Sequence, residues 1–285
     1  MLVSTNTGPY RKLKNLNKIL DTIKNAGFDA YDYSMYDMGE YNKYVNLVYD
    51  DDYVNKAKKL REYADSINLK CNQAHSIFPS FFLNNESLTN EKINITIRCM
   101  EIASILGAKI IVVHPENNAK AEQNYIFYKQ LEPYCEKFNI KVAVENMWNW
   151  KSGESRCCKA ACSHPDDFLK HITLLNSKWF TCCVDIGHGE MMVDTSSSEL
   201  IETLGSYVGA LHVHDNDCIH DHHSLPGSGN IDFKRVLDSL KKVNYSGDVT
   251  LEIKALFFEF PEKYYDVAAK ISCDIAKEIK DYLLK

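Results

Sequence analysis

KIIVVH at Lys109–His114 and IKVAVE at Ile140–Glu145 decide the fold. Each is a short apolar run of the kind shown by a strand buried on both faces. Each also closes on a residue with metal-binding chemistry, His114 in one and Glu145 in the other. The segment between them has helical character, and Pro133 is expected to kink or break it.

The same alternation extends in both directions. Toward the N-terminus, Leu69–His75 and Phe28–Ser34 read as strands, and Leu2–Thr5 as a β-like start. Between them lie helical spacings: Leu13, Leu16, Leu20 and Ile23, stopped by Gly27; Val54, Ala57, Leu60, Ala64 and Ile67; and Ile93, Ile97 and Met100, stopped by Gly107. Toward the C-terminus a polar and aromatic loop runs to Ser163. Pro165, with Asp166 and Asp167 behind it, then opens a helix. Trp179–Asp185, Gly209–His214 and Asp248–Glu252 are the remaining strands. A helix carrying Leu200, Ile201 and Leu204 and another capped by Asp232 separate them, and a last helix begins near Pro261. Eight strands, each followed by a helix, predict a parallel sheet closed into one (β/α)8 TIM barrel spanning residues 1–285. An open doubly wound sheet fits less well, because no glycine-rich dinucleotide fingerprint follows the first strand.

Composition agrees with a globular protein holding a large core: 45% of the 285 residues are hydrophobic and 25% charged. The net charge of -6 argues against a nucleic-acid partner. The opening MLVSTNTGPYRKL turns polar after three residues and does not read as a leader. No apolar run approaches the ~20 residues of a spanning helix. A cytoplasmic protein without membrane contact is expected. The ten cysteines include the cluster Cys157, Cys158 and Cys162 but no C-x-x-C pair, so reduced and mostly buried thiols are expected.

Six consecutive predicted strands end in His75, His114, Glu145, Asp185, His214 and Glu252. Barrel active sites are built at that end of the strands. One such residue is readily explained as a hydrogen-bonded rim residue. Six converging on one mouth would leave charges unpaired unless a cation or a substrate met them. His188, Asp221 and His223 lie close by in sequence. Mixed nitrogen and carboxylate donors suit a divalent cofactor such as manganese, cobalt, zinc or iron better than calcium, with magnesium also open.

The residues carry a family resemblance. VVHP at Val112–Pro115, VEN at Val144–Asn146, VDIGH at Val184–His188, LHVHDND at Leu211–Asp217, DHHSLPGSG at Asp221–Gly229 and LEI at Leu251–Ile253 occur in this order. The chain thereby resembles the xylose-isomerase-like barrels over nearly its whole length. That group holds sugar isomerases and epimerases, ketose 3-epimerases, inosose dehydratase and, more distantly, endonuclease IV. The resemblance implies one metal held by Glu145, Asp185, His214 and Glu252. It implies a small-molecule sugar or sugar phosphate as substrate. Moving a stereocentre beside a carbonyl requires removal of a carbon-bound proton, and a metal stabilises the enediolate that results. Glu145 and Glu252 are the expected acid–base pair. His188, His75, His114, His223 and Trp148 are expected against the substrate, with Trp150 beside Trp148 packing on the sugar or covering the mouth.

The same residues support a rival. Endonuclease IV holds three zinc ions, and its ligands have counterparts here in His75, His114, Glu145, Asp185, His188, His214, Asp221, His223 and Glu252. Against that reading stand the acidic balance, the Met147–Trp150 segment after VEN, and Pro226-Gly227. An inosose dehydratase-like lyase would use much the same metal and base. A non-catalytic sugar-binding barrel ranks last, because both glutamates are present. Whether the substrate is phosphorylated is left open, since no phosphate-cradling glycine loop is evident.

Overall fold

A computed structural model describes residues 1–285. Its strands are β1 (Val3–Asn6), β2 (Ala30–Ser34), β3 (Lys70–His75), β4 (Ile110–Val113), β5 (Lys141–Glu145), β6 (Phe180–Asp185), β7 (Val208–His212) and β8 (Val249–Leu251). All pairs are parallel and follow chain order from β1 to β7, with β8 returning beside β1. Val213 closes the ring. Its N–H donates to the Thr250 carbonyl at 2.9 Å, and its carbonyl accepts from Glu252 at 3.0 Å. The expected TIM barrel is therefore the fold.

Helices surround the barrel, one after each strand: Leu16–Ala26, Tyr53–Ser66, Glu86–Leu106, Ala121–Phe138, Pro165–Leu175, Ser197–Leu204, Phe233–Lys242 and Tyr265–Leu284. Local chemistry sets several of their ends. The Asn15, Asn85, Ser196 and Asp232 side chains accept from backbone N–H groups in the first turns. Of the kink or break expected at Pro133, the break does not occur: the helix runs on from Ala121 to Phe138. The proline sits on the exposed face while Leu131 and Cys135 on either side are buried, so the lost hydrogen bond falls where water is available. No helix is long and apolar enough to cross a membrane. All ten cysteines are free, and most are buried.

Two apolar compartments follow from the two faces of the strands. The large one lies between barrel and helices. The small one contains Val112, Ala143, Cys183 and Ala210, from β4 to β7. Residues two apart share a strand face. The next position up each strand is therefore His114, Glu145, Asp185 and His212. A register shift at Cys182/Cys183 pairs Ala210 with Cys183 and His212 with Asp185, leaving Gly209 as the extra residue. A Cβ at Gly209 would lie 2.2 Å from the Thr181 hydroxyl, so the bulge requires glycine there.

Candidate active site at the barrel mouth

The strand tips deliver a continuous buried array of histidines and carboxylates. His75, Glu145, Asp185, His188, His212, His214, His223 and Glu252 are all buried. Along this array four overlapping groups of donors lie close enough to share a cation: His75, His114 and Glu145; His75, His212 and Glu252; Glu145, Asp185, His212 and Glu252; and His188, His214, Asp221 and His223. Within each group the donor atoms lie within 4.8 Å of one another.

The central group differs from the sequence expectation in one member. His212, which was not singled out, stands with Glu145, Asp185 and Glu252, and His214 does not. His212 Nδ1 is 2.9 Å from Glu145 Oε1 and 3.4 Å from Glu252 Oε2. His214 lies past the end of β7. Its Nε2 turns to Asp185, at 3.0 and 3.1 Å, with Asp221 at 3.8 Å. Both imidazoles face inward because they are two residues apart, and the β6–β7 register decides which sits level with the glutamates.

Several backbone contacts fix which imidazole nitrogen is free. Nδ1 of His75 bonds the Ser76 carbonyl, that of His188 the Asn146 carbonyl and that of His223 the Glu252 carbonyl, at 2.8, 2.9 and 2.8 Å. Each Nδ1–H is thus committed, and Nε2 is presented to the site. Behind His212, Gln73 lies 3.0 Å from Nε2 and Asp32 Oδ2 3.5 Å. Asp32 and Gln73 are buried orienting groups that sequence reading missed. One Asp185 oxygen accepts from the His188 N–H at 2.7 Å, capping the short helix Ile186–Met191 and placing His188. Gly187 in that helix leaves room for His214, whose ring carbon would lie 1.9 Å from an added Cβ.

The array fits a cation better than it fits itself. Nε2 of His75 and Nε2 of His114 face each other at 2.9 Å, a contact that needs a proton or a metal between the two lone pairs. His114 Nε2 also lies 2.8 Å from Glu145 Oε2, yet that oxygen is buried without an aligned hydrogen bond, as is Asp221 Oδ1. Buried orphan acceptors are costly unless something satisfies them.

Electrostatics point the same way. Burial would raise the carboxyls, but facing histidines outweigh it. His212 and His114 hold Glu145 well below the carboxylate range, and His212 and His223 lower Glu252. Asp185 is held at about 2 by His188 and His214. Burial would lower the histidines, but Asp185, Asp221 and Glu145 push His188 up to about 10. Without a metal the carboxylates are anions. His75, His188, His212 and His214 hold a proton more tightly than a free imidazole, while His114 holds one less tightly. Metal uptake at the raised histidines must therefore release protons.

The array forms the floor of a cavity of about 670 Å³, large enough for a small polar ligand. Trp148, Trp150, Phe78 and Met147 line it together with Tyr36 and Asn117. Trp150 stacks on His220 with ring centres 5.8 Å apart, joining the loops after β5 and β7. The expected residues His75, His114, Glu145, His188, Asp221, His223, Glu252 and Trp148 all reach this cavity.

The fold and floor together define a parallel barrel with a histidine–carboxylate centre at the C-terminal ends of its strands. The family model described as Xylose isomerase-like TIM barrel matches residues 20–270, and the chain belongs to that family. A solved D-tagatose 3-epimerase-like protein superposes over 100% of both chains at 22% identity and a TM-score of 0.75. The IOLI protein, solved with a bound zinc atom, covers 99% of this chain and 98% of its own at 20% identity and a TM-score of 0.73. Among curated proteins, the uncharacterized protein MJ1311 of Methanocaldococcus jannaschii is 27% identical over 185 residues, 60% of this chain and 61% of that protein. The chain spans between half and about three fifths of the curated relatives it matches. At these identities the solved structures establish likeness of fold.

Proposed function

We propose that this protein is a metal-dependent epimerase or isomerase of a keto sugar or sugar phosphate, working by proton transfer at the carbon beside a carbonyl. The observation that carries this reading is the convergence of Glu145 and Glu252 on Nδ1 of His212, on the floor of a sugar-sized cavity. Glu145, Asp185, His212 and Glu252 would hold a divalent ion, whose charge polarises a carbonyl and an adjacent hydroxyl. Glu145 from β5 and Glu252 from the end of β8 approach the substrate from different strands. One removes the carbon-bound proton and the other returns one on the opposite face. Both are kept ionised by their histidine partners, which suits a base at neutral pH. His188 offers Nε2 to a substrate hydroxyl. Trp148, Trp150 and Phe78 supply apolar surface for the ring or chain and limit access of water.

The decisive experiment is solvent exchange. In deuterated water the metal-loaded protein should place deuterium beside the carbonyl of a ketose substrate. Glu145→Gln and Glu252→Gln should each slow exchange by at least ~10²-fold. Turnover with no deuterium in product would point to hydride shift or a shielded proton. Full activity in both glutamine variants would remove these residues from the mechanism.

A second reading rests on the outer groups. His75 and His114 on one flank, and His188, His214, Asp221 and His223 on the other, give the centre room for three ions. That number suits phosphodiester hydrolysis of the endonuclease IV kind. It ranks behind the sugar reading because net charge is -6 and the site is a pocket walled by tryptophans.

A further inference from the structure

The floor of the mouth cavity is acidic, but one wall is not. Arg11 lies in the turn Gly8–Leu13 after β1, and Lys254 lies two residues beyond Glu252. Both line the cavity. Because β1 and β8 are paired, the two cations come from adjacent loops. The Arg11 guanidinium is stacked on the Phe258 ring at 4.5 Å and faces Tyr41 at 5.4 Å. Lys12 Nζ donates to the Phe258 carbonyl at 3.1 Å, pinning the turn to the short helix Ala255–Glu259.

Arg11 has only aromatic partners in a chain with 39 acidic residues against 33 basic ones. The carboxylate of Asp37, which lines the same cavity, is engaged by the Gly39 N–H at 2.8 Å and by Asn42 at 2.7 Å. Lys254 Nζ stands 3.6 Å from Asp221, at the edge of the outer histidine group. Tyr36 ties the wall to the floor. Its ring packs edge-on against His75, with ring centres 5.8 Å apart, and it lines the same cavity as Arg11, Lys254 and Glu252. A stacked guanidinium is pre-organised: its planar edge, rich in donors, matches carboxylate and phosphate oxygens.

We propose that Arg11 and Lys254 form an anion-binding pole, and that the substrate carries a phosphate or carboxylate at the end remote from the reacting carbon. The ligand is then a phosphorylated ketose or a keto sugar acid rather than a neutral sugar. This rests on the sugar reading above for the rest of the ligand.

The test is calorimetric titration of the metal-loaded protein with D-fructose, D-fructose 6-phosphate and D-fructuronate, alongside deuterium exchange for each. At least one anionic sugar should bind about tenfold or more tightly than the neutral one. The tighter of the two identifies the anion. Arg11→Met and Lys254→Met should each erode that preference, and Arg11→Lys should retain part of it. If Arg11→Met does not fold, Lys254→Met carries the comparison. Equal binding of all three sugars, or an unchanged preference in both methionine variants, overturns the pole. A preserved anion preference without deuterium exchange into any sugar supports the pole and overturns the proton-transfer reading instead.

Discussion

Replacing His212 and His214 separately by asparagine asks which histidine completes the central donor set. His212 Nδ1 lies 2.9 Å from Glu145 Oε1 and 3.4 Å from Glu252 Oε2. Each of the two carboxylates offers an oxygen within 4.8 Å of the other. Two unit charges at that separation repel by about 3.5 kcal/mol in an effective dielectric of ~20. In the metal-free protein the His212 proton offsets this repulsion, so His212→Asn should destabilise that form by about 3 kcal/mol. Loss of a direct ligand should cost more than the ~10–100-fold typical of a supporting residue, so metal affinity should fall at least ~100-fold. His214 touches only Asp185 among the central four, and Asp185 keeps its bond from the His188 N–H at 2.7 Å. His214→Asn should therefore weaken the tightest metal by no more than about tenfold. Competition against a chromogenic chelator gives the affinities, and circular dichroism checks that each variant is folded. Should His212→Asn not fold, Asp32→Asn removes the carboxylate 3.5 Å behind the ring and should cost ~10–100-fold. Loss of the tightest metal in His214→Asn, with native affinity in His212→Asn, would refute this placement.

Three further outcomes are expected. On an oligonucleotide with one abasic site, incision should not exceed that of the free metal. Robust cleavage abolished by Glu145→Gln would favour the three-metal reading. Gly187→Ala would place a Cβ 1.9 Å from the His214 ring. It should cost about 1–3 kcal/mol in thermal unfolding and weaken any metal in the outer group, leaving the tightest metal bound. Metal-free protein should be most stable from roughly pH 4.5 to 6.5. The lowered carboxylates Glu145, Asp185, Asp221 and Glu252 contribute fully above their unfolded values and lose that contribution as pH falls, toward about 2 for Asp185. The raised His188 contributes fully below its unfolded value and loses that as pH rises toward about 10. A melting temperature that climbs steadily from pH 5 to 9 without metal would contradict this, as would metal affinity that fails to rise with pH.

The barrel was legible in the sequence because its signals are local. Apolar runs such as KIIVVH, helix stops at Gly27 and Gly107 and the cap at Asp232 each act over a few residues. A metal-capable residue at successive strand ends was visible for the same reason, since a strand tip is a position along one segment. Whether Pro133 would break its helix was not legible, because a proline's effect depends on which face of the helix meets water. The choice between His212 and His214 was not local. His212 ends β7 and His214 follows two residues on, facing the same way, and only the register of β7 against β6, shifted at Cys182/Cys183 by the extra Gly209, sets His212 level with Asp185. Asp32, Gln73, Arg11 and Lys254 gained their meaning in the same way, from strands and loops far apart in sequence. The sequence determined that histidines and carboxylates would meet at one end of a barrel. Tertiary structure decided which of them share a layer, because depth within a barrel is a relation between strands.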